Sequence, residues 1–136
     1  MDSEILRGIK ILIVEDDLSS RLYLNKIIER TGAVILNAGD GKEALEIVAG
    51  DRDIKVVLMD IQLPVMDGYT SAKEIRKLGS EVKIIAQTAY GLSADVENML
   101  TSGFDDFIIK PIYYGQLIEK LTACLSGEDT SVGHSG

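Results

Sequence analysis

Apolar residues recur along the chain in two alternating rhythms. Continuous runs rich in Val, Ile and Leu stand at 9–15, 33–37, 55–60, 82–88 and 107–110. Unbroken rather than alternating apolarity is the pattern of strands buried on both faces. Between and after these runs the spacing turns helical: Leu18, Leu22 and Ile28; Ala44, Leu45 and Val48; Ala72, Ile75 and Leu78; Val96, Met99 and Leu100; Leu117, Leu121 and Leu125. Each set gives a helix one stripe to bury. Gly32, Gly50, Gly79 and Gly103 follow the first four sets, where a left-handed C-terminal cap is wanted.

Strand and helix therefore alternate five times, with connections too long for hairpins. That pattern predicts right-handed crossovers and a doubly wound (βα)5 fold, an α/β architecture with a five-stranded parallel sheet and helices on both faces. Ligands of such sheets bind in the crevice at the carboxyl ends of the strands. Asp16, Asp60, Thr88 and Lys110 each end an apolar run, so two carboxylates, a hydroxyl and an ammonium are expected to meet there.

With 136 residues the chain fits one domain, expected over 1–125, and the polar stretch SGEDTSVGHSG at 126–136 reads as a disordered tail or linker. His134 within that stretch is read as solvated and receives no role. Apolar residues at 46% and charged residues at 26% fit a globular composition rather than a disordered one. Fourteen basic against twenty-two acidic residues give 14 − 22 = −8, a field that repels nucleic-acid backbones and anionic lipid surfaces. Cys124 is the one cysteine, which excludes an internal disulfide, and its Leu neighbours make it a small core residue. The apolar stretch at 11–14 is too short for a signal-peptide core or a bilayer span, so a cytoplasmic location is expected.

The sequence Glu15-Asp16-Asp17 crowds the first strand's exit, and Asp60 would come beside it from a neighbouring strand. Crowded carboxylates need a cation, and oxygen ligands without His or Cys favour a hard ion such as Mg²⁺, with Asp16 and Asp60 as direct ligands. Asp17 is better read as the cap of the following helix. A charge on a buried apolar strand is costly unless paired or metal-bound, which sets Asp60 apart from an ordinary turn residue. Lys110 is the natural ion-pair partner of Asp60 and could also meet a phosphoryl oxygen. Thr88 could donate to that same oxygen, although a strand-end Thr is common for β-propensity alone.

The segments ILIVEDD, VVLMDIQLPVMDGY, IIAQTAY and FIIKPI, in this order and spacing, resemble the landmarks of two-component response-regulator receiver domains over residues 9 to 125. The resemblance implies a flavodoxin-like fold and a phosphorelay function. Asp60 resembles the phosphoacceptor that attacks the phosphohistidine of a histidine kinase or phosphotransfer protein, giving an aspartyl phosphate. Glu15 and Asp16 match the acidic pair that holds Mg²⁺, Glu15 through water, and the Gln62 backbone carbonyl matches the remaining ligand. Mg²⁺ and Lys110 would neutralise charge as the phosphoryl group moves. Thr88 and Phe107 match the switch pair that remodels the face of the fourth helix, fifth strand and fifth helix. Phe stands where Tyr is common, which removes a hydroxyl. Gln62 and Tyr90 occupy positions that tune access of attacking water, with Tyr90 expected to slow hydrolysis. Pro64 and Gly68 match the turn after Asp60, and Lys110-Pro111 matches a peptide bond the family usually holds in cis. The family also admits phosphorylation-dependent pairing of two copies. GFDDFIIKPI is similar to receivers of hybrid sensor kinases, and cognate kinase and output target stay open.

Three rival readings can be weighed. Gly39, Gly41 and Ala44 satisfy a G-x-G-x-x-A dinucleotide pattern, but after the second run rather than the first. An aspartyl phosphatase would need a second aspartate where Gln62 stands. A receiver fold used only as an unphosphorylated binding module sits poorly with the complete set of Glu15, Asp16, Asp60, Thr88 and Lys110.

Overall fold

The structure, a computed structural model, describes residues 4–89, 97 and 101–126. Tyr90, the helix expected around Val96, Met99 and Leu100, and the tail residues 127–136 with His134 lie outside the described residues. The elements follow as β1 (Lys10–Val14), α1 (Leu18–Glu29), β2 (Val34–Ala38), α2 (Gly41–Gly50), β3 (Ile54–Asp60), α3 (Gly68–Lys77), β4 (Lys83–Thr88), β5 (Asp106–Ile109) and a last helix (Tyr114–Ser126). All strand pairs are parallel, in the order β2-β1-β3-β4-β5. In this doubly wound order the chain reverses direction across the sheet between β1 and β3, which opens a crevice there.

Alternation along each strand explains the continuous apolar runs, because successive side chains feed opposite faces. Leu12, Val14, Val57, Met59, Ile84 and Ala86 pack with Ala44, Val48, Ala72 and Ile75 from α2 and α3. Ile11, Ile13, Val56, Leu58, Ile85 and Ile108 pack on the other face with α1 and the last helix, through Leu24, Ile28, Leu117 and Leu121. Each of α1, α2 and α3 begins at an aspartate, Asp17, Asp40 and Asp67, whose carboxylate accepts at 2.8 Å from the N–H three residues on. Such caps satisfy amide donors that the helix itself cannot.

Three expectations are corrected. The stretch 33–37 is not buried on both faces: β2 is an edge strand and Val34 is exposed. Leu18 and Leu22 are 63% and 60% exposed, and α1 buries Leu24, Ile27 and Ile28 instead. At 3.6 residues per turn those three share a face that Leu18 and Leu22 do not. Gly32, Gly79 and Gly103 adopt left-handed φ values of 81°, 77° and 102°, whereas Gly50 stays within α2 and the chain leaves through extended Asp51.

Candidate functional site

Strand register builds the site. Val14 pairs with Met59, Met59 with Ala86, and Asp60 with Gln87. Glu15, one residue past Val14, therefore reaches the level of Asp60. Neighbours in a parallel ladder send their side chains to the same face. Glu15, Asp60 and Gln87 thus form a polar row above Ile13, Leu58 and Ile85, and they are only 2%, 6% and 0% exposed.

Asp60 is held at both oxygens. Its Oδ1 accepts from the Gln62 N–H at 3.0 Å, and its Oδ2 accepts from Lys110 Nζ at 2.8 Å. The same ammonium lies 3.7 Å from Glu15 Oε1. Lys110 is placed by β5, its own N–H donating to the Thr88 carbonyl at 2.8 Å, and its bond to Pro111 is cis. Burial alone would lower the Lys110 ammonium, yet the hydrogen bond to Asp60 and the charges of Asp60, Glu15 and Asp16 leave it raised. Glu15 is raised too, by burial first and by the Asp60 charge, against the opposing pull of the Asp17 N–H and Lys110.

Ligand oxygens of Glu15, Asp16 and Asp60 come within 4.8 Å of one another. Three carboxylates against one ammonium leave 1 − 3 = −2 if all are ionised. Glu15 Oε2 accepts from the Asp17 N–H at 3.1 Å, but its buried Oε1 has no hydrogen-bond donor among the described residues. An all-oxygen set with excess negative charge and an orphaned buried oxygen fits a hard divalent cation. Asp17 takes no part, since its carboxylate caps α1 at Ser20.

Thr88, buried at the end of β4, lines a cleft of about 190 Å³ with Asp60, Gln62 and Lys110. Phe107 lies apart from that cleft lining, half-buried on β5 against the α2–α3 core, with Lys120 Nζ 5.5 Å above its ring. Gly68 closes the turn after Asp60 by donating to the Ile61 carbonyl at 3.0 Å. A Cβ on Gly68 would fall 2.5 Å from the Asp60 carbonyl oxygen. The glycine pattern at 39–44 serves packing as well: Gly41 donates to the Met66 carbonyl, and a Cβ there would overlap that group. The dinucleotide reading therefore has no open cradle.

Sequence reasoning missed two features. Gln87 is a fully buried carboxamide beside Asp60, and its signal was a polar residue inside the apolar run 82–88. Asp106 is 5% exposed and accepts at 3.0 Å from Lys120 Nζ, the ammonium that lies over the Phe107 ring. Its signal was an acid opening the last apolar run.

Known proteins share this sequence pattern and fold. The chain is 39% identical over 116 residues to the probable transcriptional regulator ycf27 of Guillardia theta, covering 85% of this chain and 45% of that protein. It thus spans less than half of that relative. Among solved structures, the receiver domain of sensor histidine kinase PA1611 from Pseudomonas aeruginosa, with magnesium in its active-site cleft, superposes with a TM-score of 0.81. That match is 34% identical and covers 88% of this chain and 98% of the other. The receiver domain of Ssk1 from Saccharomyces cerevisiae, crystallised with the histidine phosphotransfer protein Ypd1, is 30% identical with a TM-score of 0.80, covering 85% and 88%. No helix among the described residues is long and apolar enough to cross a membrane. The family profile described as "Response regulator receiver domain" matches residues 11–122, and by that match and this fold the chain belongs to the receiver domains of two-component signalling.

Proposed function

We propose that Asp60 is the residue on which this receiver takes up its phosphoryl group. The observation that carries the reading is Asp60 itself: a buried carboxylate at the mouth of a cleft, oriented at Oδ1 by a backbone N–H and at Oδ2 by an ammonium. An Asp60 oxygen forms the new bond to phosphorus as the bond from phosphorus to the donor imidazole nitrogen breaks. The imidazole leaves with the electron pair of that bond and is neutralised by a proton. Lys110, already in the cleft, follows the charge from the carboxylate to the phosphoryl oxygens, and the Thr88 hydroxyl on the cleft wall donates to the same group.

Glu15, Asp16 and Asp60, with the Gln62 carbonyl, would hold Mg²⁺, which supplies neutralisation of the carboxylate cluster and of the transferred phosphoryl group. A phosphotransfer protein or histidine kinase is the donor, in keeping with the partner of the Ssk1 receiver. Thr88 and Phe107 then act as the switch pair, while Gln62 and Tyr90 tune the lifetime of the phosphate. Incubation with acetyl phosphate and Mg²⁺ tests the reading by intact-mass and peptide mapping. One phosphoryl group on Asp60, lost in Asp60→Asn, is expected. No mass gain would leave an interaction module with a receiver fold.

A further inference from the structure

Gln87 is fully buried, yet its Oε1 has no hydrogen-bond partner among the described residues. Buried polar atoms are nearly always paired, so an orphan oxygen asks for an explanation. A flipped amide is a poor one: Nε2 donates to the Leu58 carbonyl at 3.3 Å, and reversing the group would oppose two oxygens. Two cavities meet at this side chain, one of about 190 Å³ bearing Asp60 and Thr88, the other of about 270 Å³ bearing Glu15, Ser19 and Tyr23. Gln87 and Lys110 line both. Gln87 thus shares the walls of both with Lys110 and stands in the row next to Asp60.

Among the described residues the Lys110 ammonium makes one short contact, to Asp60 Oδ2, while Glu15 Oε1 at 3.7 Å lies beyond hydrogen-bond range. Phosphorylation turns the Asp60 carboxylate into a neutral acyl group and so removes the charge that holds the ammonium there. We propose that Gln87 is a positioning residue for Lys110, its Oε1 accepting from the ammonium as the phosphoryl group arrives. The proposal rests on Asp60 being the phosphoacceptor. A neutral acceptor suits the task, because it orients a cation without adding to the crowded negative charge that the incoming group must face. The orphan oxygen of the resting state is then a partner held in reserve.

Wild-type chain, Gln87→Met, Lys110→Met and the double variant are compared for initial rate of phosphorylation by acetyl phosphate at saturating Mg²⁺. Loss of one hydrogen bond to the ammonium should slow the Lys110 chain about tenfold and change the Lys110→Met chain less than about twofold. Equal slowing in both backgrounds, or none in the Lys110 chain, overturns the proposal. A crystal structure of the wild-type chain with Mg²⁺ and beryllofluoride needs no variant. Gln87 Oε1 is expected about 3 Å from Lys110 Nζ, and a separation beyond about 4 Å overturns the role. A wild-type chain that gains no phosphate on Asp60 sinks the underlying reading instead, and this inference with it.

Discussion

Asp16→Asn should stabilise the metal-free chain while removing its response to Mg²⁺. The Asp16 oxygen lies within 4.8 Å of oxygens on Glu15 and Asp60, and the ammonium that faces this cluster, Lys110, already sits on Asp60. At 4.8 Å a pair of unit charges interacts by about 1 kcal/mol in water and about 3.5 kcal/mol at an effective dielectric of about 20. Asp16 is exposed, so the lower figure applies. Neutralising it removes two repulsions of that size and one attraction to Lys110, a net gain of about 1 kcal/mol. For a chain of 136 residues this is about 3–4 °C in melting temperature. Mg²⁺ at about one hundred times its dissociation constant should add about 2.7 kcal/mol to the wild type, or about 8–11 °C. The variant lacks the anionic ligand and should gain little. Thermal melts in low-salt buffer, with chelator and with Mg²⁺, read both effects. A lower melting temperature for the variant in chelator, or an equal response to Mg²⁺, would refute the charge-crowding account.

Glu15→Gln should also stabilise the metal-free chain, with a distinct pH profile. The Glu15 carboxyl is raised in the fold, so the folded chain binds that proton more tightly than the unfolded one. Stability therefore falls as pH rises from the unfolded value near 4.5 through the raised folded value. The variant's advantage should be present at pH 8 and absent below about pH 4 in urea titrations; a pH-independent difference would count against it. Gly68→Ala sets a Cβ 2.5 Å from the Asp60 carbonyl oxygen and 2.8 Å from Ile61 Cα. It should cost about 3 kcal/mol or more, and an unchanged urea midpoint would contradict this. The Cys124 thiol is pushed up to about 11 by burial and by the Asp106 and Asp105 charges. At pH 7.5 iodoacetamide should label it about two orders of magnitude more slowly in the folded than in the unfolded chain, as followed by mass.

The sheet and its chemistry were legible for one reason. Strands buried on both faces must be continuously apolar, so a charge closing such a run is costly and conspicuous, as at Asp60 and Lys110. Where burial is one-sided the same reading failed. On α1, Leu18, Leu22 and Ile28 looked like a stripe, but two of the three face solvent. Apolar count does not say which face meets the sheet; that is decided by Leu24, Ile27 and Ile28 packing on Ile11 and Ile13. Gln87 escaped notice because an amide carries no charge to mark it, and its meaning lies in register. Only the pairing of Asp60 with Gln87 brings it beside the carboxylate.

Register also decides which part of the sheet can answer to chemistry at Asp60. Lys110 follows directly on β5, a four-residue edge strand whose ladder joins it to β4 alone. Central β3, by contrast, is paired on both sides and carries Asp60 at its end. Free energies of local opening are lowest where few backbone bonds and little buried area must be given up. Asp60 is thus fixed to a strand held on both sides and Lys110 to one held on a single side. The same short strand carries Asp106 and Phe107, tied to the last helix through Lys120. If Lys110 exchanges Asp60 for a phosphoryl oxygen, as the proposed function requires, the displacement would fall on β5, where Phe107 and Lys120 lie nearest to it. On the proposed function such a switch would need no long relay, because Lys110 and Phe107 stand three positions apart on one edge of the sheet.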